Sequence, residues 1–239
     1  MASISIKPER EYLREIAAKI KKGRYAIPVF QRDFVWKKEQ VLDLFDSISK
    51  GYPIGSIILW KPEENHDSRA KDIISDKIIN VSAPEFYVLD GRQRLTTFYG
   101  CVTKLETKDD VLKIVYNLDK DCFEYAKGRS KDCIMELPDV YDTLSLLTCL
   151  QKLMSSISDK EKLATYVNRA KAMNAKLQSY EIGEVQIENC SLDEAGTVFS
   201  RINSKGTDIS KVSMLQAIYY KDERTPLLSD EINDLIRSL

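Results

Sequence analysis

The sequence predicts an α/β (α+β) domain, with a mixed sheet flanked by helices, a helical insertion and a helical C-terminal part. Residues 85–116 read as a hydrophobic strand, a Gly turn, an amphipathic helix and a second strand. A second strand-to-helix step follows at 184–202. Between the two steps, residues 138–180 carry apolar side chains at helical spacing. Such alternation of strands and helices is typical of a sheet covered by helices.

The N-terminal half is divided by its Gly and Pro residues. Gly23 and Gly51 stand where amphipathic stretches end, as expected just after a helix. Pro28 disfavours regular strand pairing and favours an extended backbone before it. The predicted elements are a helix at 8–22, an extended loop-like segment at 27–32, a helix at 38–50, a strand at 55–60, an exposed loop at 61–84 and a strand at 85–89.

The C-terminal half is marked by two capping-box patterns, Ser158 to Glu161 and Ser191 to Glu194, each ahead of an apolar stripe. The final amphipathic stretch has no C-cap, which suggests a chain cut short or a partner surface. The predicted elements are a helix through Leu95 and Val102, a strand at 111–116, helices at 140–154 and 159–179, a strand at 184–188, a helix through Ala195 and Ile202, and helices at 210–221 and 229–239.

Composition restricts the function. The chain has 239 residues, 43% of them hydrophobic, which suits one large domain spanning 1–239. Its net charge is −1, so a nucleic-acid contact would need a local basic patch. The five cysteines form no C-x-x-C pair, and neither a signal peptide nor a membrane span is visible. We therefore expect a soluble cytoplasmic protein with reduced thiols.

The chain contains one histidine, His66, in a polar stretch. A surface position is much more common for such a residue than a catalytic one. Ser-His-Asp catalysis, histidine metal clusters and nucleases with a catalytic histidine are therefore not expected.

The strongest functional pattern is the loop from Asp90 to Arg94, which follows a hydrophobic strand and opens a helix. A helix start offers free N–H groups and a positive dipole end, which suit an anion. Arg92, Arg94, Thr96 and Thr97 add charged and hydroxyl donors. Asp90 could hold a divalent cation, cap the helix or position a water. A plain structural turn with solvated arginines is the alternative, since Asp-Gly turns are common and no P-loop is present.

Two further segments combine donors with aromatic or Gly residues. Residues 30–38 interleave basic and aromatic side chains, which suits bases and phosphates or, equally, a core contact and a structural ion pair. In residues 199–207 a helix end meets a Gly turn. A C-cap accounts for Gly206 but not for Arg201, Asn203 and Thr207.

These segments resemble the DUF262 family, the N-terminal domain of GmrSD-type, modification-dependent restriction enzymes. Four boxes occur in the family's order: Ile27 to Trp36 resembles I-P-x-[YF]-Q-R-x-[FY]-x-W, Gly51 to Gly55 resembles G-x-P-I-G, Leu89 to Thr97 contains a counterpart of D-G-Q-Q-R-L-T-T, and Phe199 to Ser210 resembles F-x-R-I-N-x-x-G-T-x-L-S. In the central box Arg92 replaces the family's usual Gln, which conserves length and donor capacity but adds a charge.

The family is similar to the ParB/sulfiredoxin superfamily, whose ParB members contact nucleotide phosphates with a loop at this place. The resemblance implies a ParB-like core at about 25–135 and 184–218, a helical insertion at about 138–180 and a C-terminal helix at 222–239. It also implies binding and hydrolysis of a nucleoside triphosphate (NTP), with Mg²⁺ as the candidate ion. The implied residues are Asp90, Gln93 and Arg94 for catalysis, Asp90 for the metal, and Gln31, Arg32, Gly91, Arg92, Thr96, Thr97, Arg201 and Asn203 for the nucleotide.

The resemblance further implies partners: DNA, modified DNA included, and an HNH-like nuclease domain or subunit, with a homodimer as a further option. The His-rich nuclease motif is missing here, so this chain alone is not expected to cut DNA. A non-enzymatic DNA-recognition or protein-interaction module, with residues 30–38 as its contact surface, is the alternative. A nuclease function for the domain itself ranks last, because the sequence shows no clustered acidic metal site.

Overall fold

A computed structural model describes residues 4–29, 31–62, 68–104, 110–125 and 133–203 of the chain. Within these ranges the strands form one sheet of seven strands and a second sheet of three. The strands are β1 Ser5–Tyr12, β2 Tyr25–Pro28, β3 Ser56–Trp60, β4 Ser68–Lys71, β5 Ile78–Val81, β6 Phe86–Asp90, β7 Ile114–Asn117, β8 Cys122–Tyr125, β9 Ile134–Glu136 and β10 Glu181–Glu188.

The large sheet is mixed, with the order β1-β10-β3-β6-β2-β4-β5. The pairs β10–β3 and β2–β6 are parallel, and the other neighbours are antiparallel. The small sheet is antiparallel, with β7 between β8 and β9. Strand β6 is thus central, and its carboxyl end at Asp90 lies beside β3, where the register of that pair shifts at Ile58.

Helices cover both faces of the large sheet. Side chains alternate along β6, so that Val88 packs with the main core and Leu89 packs with the second cluster, which Phe199 of the last helix also joins. The other six helices all contribute to the main core. The helices of the described residues are α1 Leu13–Lys21, α2 Lys38–Lys50, α3 Arg92–Val102, α4 Leu137–Tyr141, α5 Thr143–Ser156, α6 Lys160–Ser179 and α7 Leu192–Asn203.

The predicted α/β class, with a mixed sheet between helices, is confirmed. So are the helix at 38–50, which ends at a left-handed Gly51 with φ of 71°, and the strands predicted at 55–60 and 85–89. The second capping box is also confirmed, since Ser191 N–H donates to Glu194 Oε2 at 2.9 Å. The division into core and insertion stays a prediction, and the expected helices at 210–221 and 229–239 lie outside the described residues.

The first predicted helix was wrong over its N-terminal part. Residues 5–12 form β1 instead, and α1 starts only at Leu13. Strand β1 pairs with β10 at the edge of the sheet. Pro8 is tolerated there because an edge strand needs hydrogen-bond donors on one side only.

The predicted exposed loop at 61–84 was wrong too, because it contains strands β4 and β5, which extend the sheet beyond β2. Residues 25–28, expected to be loop-like in part, form the fully buried strand β2. The first capping box was wrong, since Asp159 rather than Ser158 is the N-cap and accepts the free N–H groups of Glu161 and Lys162.

A buried acid lies beneath α1. Glu184 of β10 is 1% exposed, and its Oε1 accepts a hydrogen bond from the hydroxyl of Tyr25. Lys19 Nζ lies 3.4 Å from the same hydroxyl and also contacts Glu11 at 2.6 Å. Burial raises the pKa of Glu184, because the charged form loses its hydration.

Glu184→Gln is expected to stabilise the protein relative to wild type more at about pH 8 than at about pH 5. The folded state binds the Glu184 proton more tightly than the unfolded chain does, so this contribution to stability is complete below the unfolded pKa. It is lost as the pH rises through the folded pKa. Urea unfolding of both proteins across this range measures the difference, and a difference that does not vary with pH would contradict the assignment.

No helix among the described residues is long and apolar enough to cross a membrane.

Candidate functional site

The turn from β6 into α3 presents unpaired backbone amides. Strand β6 ends at Asp90, and Gly91 takes a left-handed backbone with φ of 91° that points the chain into the helix. The first α3 hydrogen bond runs from Leu95 N–H to Gly91 O at 3.0 Å. The N–H groups of Arg92, Gln93 and Arg94 therefore have no partner within the helix, at its positive dipole end.

Arg94 joins this turn to the segment before β3. Its Nη1 donates to Ile54 O at 2.7 Å, and its Nη2 donates to Ser56 O at 2.8 Å and to Asp90 Oδ2 at 3.1 Å. Gly55 lies directly against this guanidinium, since a Cβ added there would overlap Nη1 and lie 3.3 Å from Cζ. Two of the sequence boxes are thus one physical unit, in which Arg94 holds the Gly55 turn and orients Asp90.

Arg92 is almost completely buried, with 2% of its side chain exposed. Its Nη1 donates to Gln31 O at 3.3 Å, and its Nη2 forms an ion pair with Asp76. Its Nε has no hydrogen-bond partner among the described residues. Burial lowers the pKa of Arg92 to about 10, so that the side chain stays charged at neutral pH.

Hydrogen bonds of Gln31 and Gln93 connect the segment 31–35 to the sheet and to α3. Buried Gln31 donates through Nε2 to Val88 O. Gln93 accepts the Val35 N–H at 3.0 Å and donates to Asp33 O at 3.0 Å. Both glutamines therefore bind protein backbone.

Lys71, a residue that the sequence patterns did not single out, adds contacts to this segment at Gln31 O and at Asp33 Oδ1, both at 2.6 Å. It lies within 61–84, which was expected to be an exposed loop. Lys71 lies in β4 and reaches this segment because β4 pairs with β2, so no local sequence pattern singles it out.

Thr96 and Thr97 are both fully buried within α3. Thr96 Oγ1 donates to Ile73 O at 2.8 Å. The Thr97 hydroxyl has no partner in the described part of the chain. Both residues face the protein interior, away from the open end of the helix.

Asp90 of the loop and Arg32 of the segment 31–35 both reach solvent. The Asp90 side chain is 39% exposed, compared with 18% for Arg94. Arg32 is exposed on the fastened segment 31–35 and close enough to Arg92 to lower its pKa further. An anion at the α3 start would thus meet backbone amides first, with Arg32 as the accessible side-chain cation.

Asp90 could serve as one ligand of a divalent cation. Among the residues described, no group of three or more His, Cys, Asp or Glu side chains is placed to hold a metal ion. Mg²⁺ commonly keeps several waters and binds through one or two carboxylates together with substrate phosphates. A single carboxylate such as Asp90 would therefore hold Mg²⁺ only together with oxygen ligands from elsewhere.

The last predicted residues lie on α7. This helix contacts β6 on the face that carries Leu89, and its capped start lies beside Trp60, whose indole N–H donates to Cys190 O at 2.8 Å. Arg201 is exposed in its last turn. The side chain of Asn203 and residues 204–207 lie outside the described part of the structure.

A shallow groove of about 470 Å³ borders the segment next to the loop, lined by residues 34–39 and Val111. Phe34 and Trp36 are partly buried against the main core, while Val35, Lys37 and Lys38 are exposed. The aromatic side chains thus contribute in part to the core, which is the structural interpretation of this segment. Lys37 and Lys38 at the rim of the groove are open to a ligand.

Together, the fold and the loop define a mixed α/β domain that presents a helix start, an exposed arginine and a carboxylate at the end of a central strand. The family model of the GmrSD restriction endonuclease N-terminal domain matches residues 13–220. The chain belongs to this family, which associates it with restriction systems.

A curated relative, an uncharacterized protein of Methanocaldococcus jannaschii, is 24% identical over 245 aligned residues. The match includes 87% of this chain and 41% of the relative. The chain therefore spans less than half of the length of that protein.

Proposed function

We propose that this chain is the nucleotide-binding and NTP-hydrolysing regulatory domain of a modification-dependent restriction system. Binding or turnover of the nucleotide would license a nuclease, carried by another domain or subunit, that acts on DNA. The family membership supports the restriction context. The left-handed Gly91 turn, which frees the first amides of α3 at the end of a buried strand, carries the nucleotide assignment.

In this proposal the phosphates bind the amides of residues 92–94, and Arg32 contributes a charged donor. Arg94 and Gln93 are occupied by protein acceptors, so they hold Asp90 and the segment 31–35 in place rather than meet phosphate first. Asp90 would hold Mg²⁺ or position the attacking water. The bound Mg²⁺ would supply neutralisation of charge on the phosphates.

Calorimetric titration of the protein with ATP, GTP, CTP and UTP, each with Mg²⁺, tests this function. At least one nucleotide should bind, and Arg32→Ala should weaken that binding about tenfold or more, since it removes a charge-assisted contact. Asp90→Ala should remove the dependence of binding on Mg²⁺ and stop phosphate release.

Arg24→Ala is the matched control, because Arg24 is an exposed arginine that pairs with Glu85 outside the loop. It should bind nucleotide like wild type. Absence of binding for all four nucleotides, or an equal loss in the Arg24 and Arg32 variants, would refute the proposed site.

The groove along residues 34–39 favours a second candidate, a DNA-recognition module that needs no nucleotide. Its exposed Lys37 and Lys38 could meet phosphates, while Trp36 offers a partly exposed ring to a base. In gel shifts this module binds DNA without NTP, and Lys37→Ala weakens that binding. Binding that requires NTP and is insensitive to Lys37→Ala would exclude the module.

A further inference from the structure

We infer that Asp76 is a positioning residue, which locks the segment 31–35 against α3 by pairing with buried Arg92. The inference rests on the proposed function in one respect, namely that this segment carries Arg32 to the phosphates. The lock itself concerns only contacts within the chain.

Asp76 contacts both parts of the lock. Its Oδ2 accepts the N–H of Phe34 at 2.9 Å, and its Oδ1 forms the ion pair with Arg92. Gln93, the next residue of α3, holds the neighbouring Val35 N–H and Asp33 O. The segment 31–35 is thus fixed from two sides, by the Asp76 carboxylate and by the Gln93 amide.

Hydrogen bonds within the turn at residues 72–76 fix the position of Asp76. Asp72 Oδ1 accepts the N–H groups of Ile74 at 3.1 Å and Ser75 at 2.7 Å, and Asp76 N–H donates to Asp72 O at 3.2 Å. Asp76 has a positive φ of 58°, a conformation that Asp and Asn adopt more readily than most residues. Several hydrogen bonds therefore hold its carboxylate towards Arg92.

The buried charge of Arg92 explains why its ion pair with Asp76 is needed. The Arg92 side chain is 2% exposed and Asp76 is 22% exposed, whereas Asp33 is 63% exposed and is engaged by Lys71. Asp33 also raises the pKa of Arg92, but Asp76 is the carboxylate that forms an ion pair with the buried guanidinium. A buried charge without its partner is strongly destabilising, while removal of both partners can be nearly neutral. Arg92 thus acts on the site through Asp76 and not as a second phosphate donor.

Native-state hydrogen exchange of the Phe34 and Val35 amides, without nucleotide, tests the lock in wild type, Asp76→Asn, Arg92→Gln and the double variant. Asn retains an acceptor for Phe34 N–H and suits the positive φ, so Asp76→Asn isolates the charge. It should speed exchange of both amides about tenfold or more, because the segment opens when Arg92 is unpaired. The double variant should return to within about threefold of wild type.

Asp46→Asn is the matched control, since Asp46 pairs with Lys50 on an exposed helix surface, and it should leave both amides unchanged. Equal exchange in wild type and Asp76→Asn, or a double variant no slower than Asp76→Asn, would overturn the inference. If Asp76→Asn does not fold, the double variant decides: a folded protein with protected amides supports the lock, and an unfolded one contradicts it.

Titration with the four Mg²⁺-NTP complexes separates the lock from the proposed function. If a nucleotide binds wild type, Asp76→Asn should weaken it about tenfold and the double variant should regain it. Unaltered affinity in Asp76→Asn would overturn the positioning role. If wild type binds no nucleotide, the proposed function fails, while the exchange experiment still decides the lock.

Discussion

Arg94→Ala is expected to lower the free energy of unfolding by about 3 kcal/mol, because several acceptors lose a shared charged donor. The carbonyls of Ile54 and Ser56 and the carboxylate of Asp90 all receive hydrogen bonds from this guanidinium. Lys cannot reproduce its planar fork, so Arg94→Lys should recover only part of the loss. Urea unfolding monitored by circular dichroism measures the change.

Arg24→Ala serves as the control for loss of an arginine. Arg24 is 47% exposed and pairs with Glu85 at the surface, so its removal should cost less than about 1 kcal/mol. Similar losses for the Arg24 and Arg94 variants would contradict the role of Arg94 as the connection between β3 and α3.

Gly55→Ala is expected to be almost as harmful, with a loss of about 2–4 kcal/mol. The φ of Gly55 is +86°, and a Cβ there would overlap Arg94 Nη1. The substitution therefore adds backbone strain and also displaces the guanidinium from Ile54 O and Ser56 O. Thermal or urea unfolding detects the loss, and nucleotide affinity should fall with it because Asp90 loses its orientation.

Gly51→Ala separates the effect of backbone strain from the effect of displacing the Arg94 guanidinium. Gly51 has a similar φ of +71°, but nothing lies within 4 Å of its added Cβ. Gly51→Ala should therefore lower the free energy of unfolding by only about 1 kcal/mol, which is the cost of a left-handed backbone at Ala. If both glycine variants lose the same amount, the contact between Gly55 and Arg94 is not important for stability.

Elements with local signals were predictable from the sequence. Helix α2 has its apolar stripe and its Gly51 stop within one segment, and β6 with α3 has a hydrophobic run followed by Asp90-Gly91. Strand β1 was not predictable in this way, because its partner β10 lies far away in the chain and Pro8 suggested a helix start. Strands β4 and β5 likewise depend on pairing, since β4 pairs with β2 and β5 pairs with β4, and the edge strand β5 has little buried surface to give an apolar pattern.

The location of the candidate site was predictable from the sequence, but the contacts of its side chains were not. Local sequence indicates that Arg92, Gln93 and Arg94 are donors, yet it cannot tell which acceptors the fold brings to them. Two carbonyl acceptors of Arg94 lie in the Gly55 turn. The carboxylate that pairs with Arg92 belongs to Asp76, in a stretch expected to be an exposed loop. The buried position of Arg92 is thereby explained by a partner elsewhere in the chain.

Nucleotide phosphates are proposed to bind at the start of α3. Backbone amide chemical shifts, recorded by nuclear magnetic resonance during titration with each Mg²⁺-NTP complex, locate the bound nucleotide. We expect the largest shifts at the amides of Gly91 to Arg94 and smaller ones at Arg32. Shifts confined to residues 34–39, or no shifts with any of the four nucleotides, would contradict the proposal.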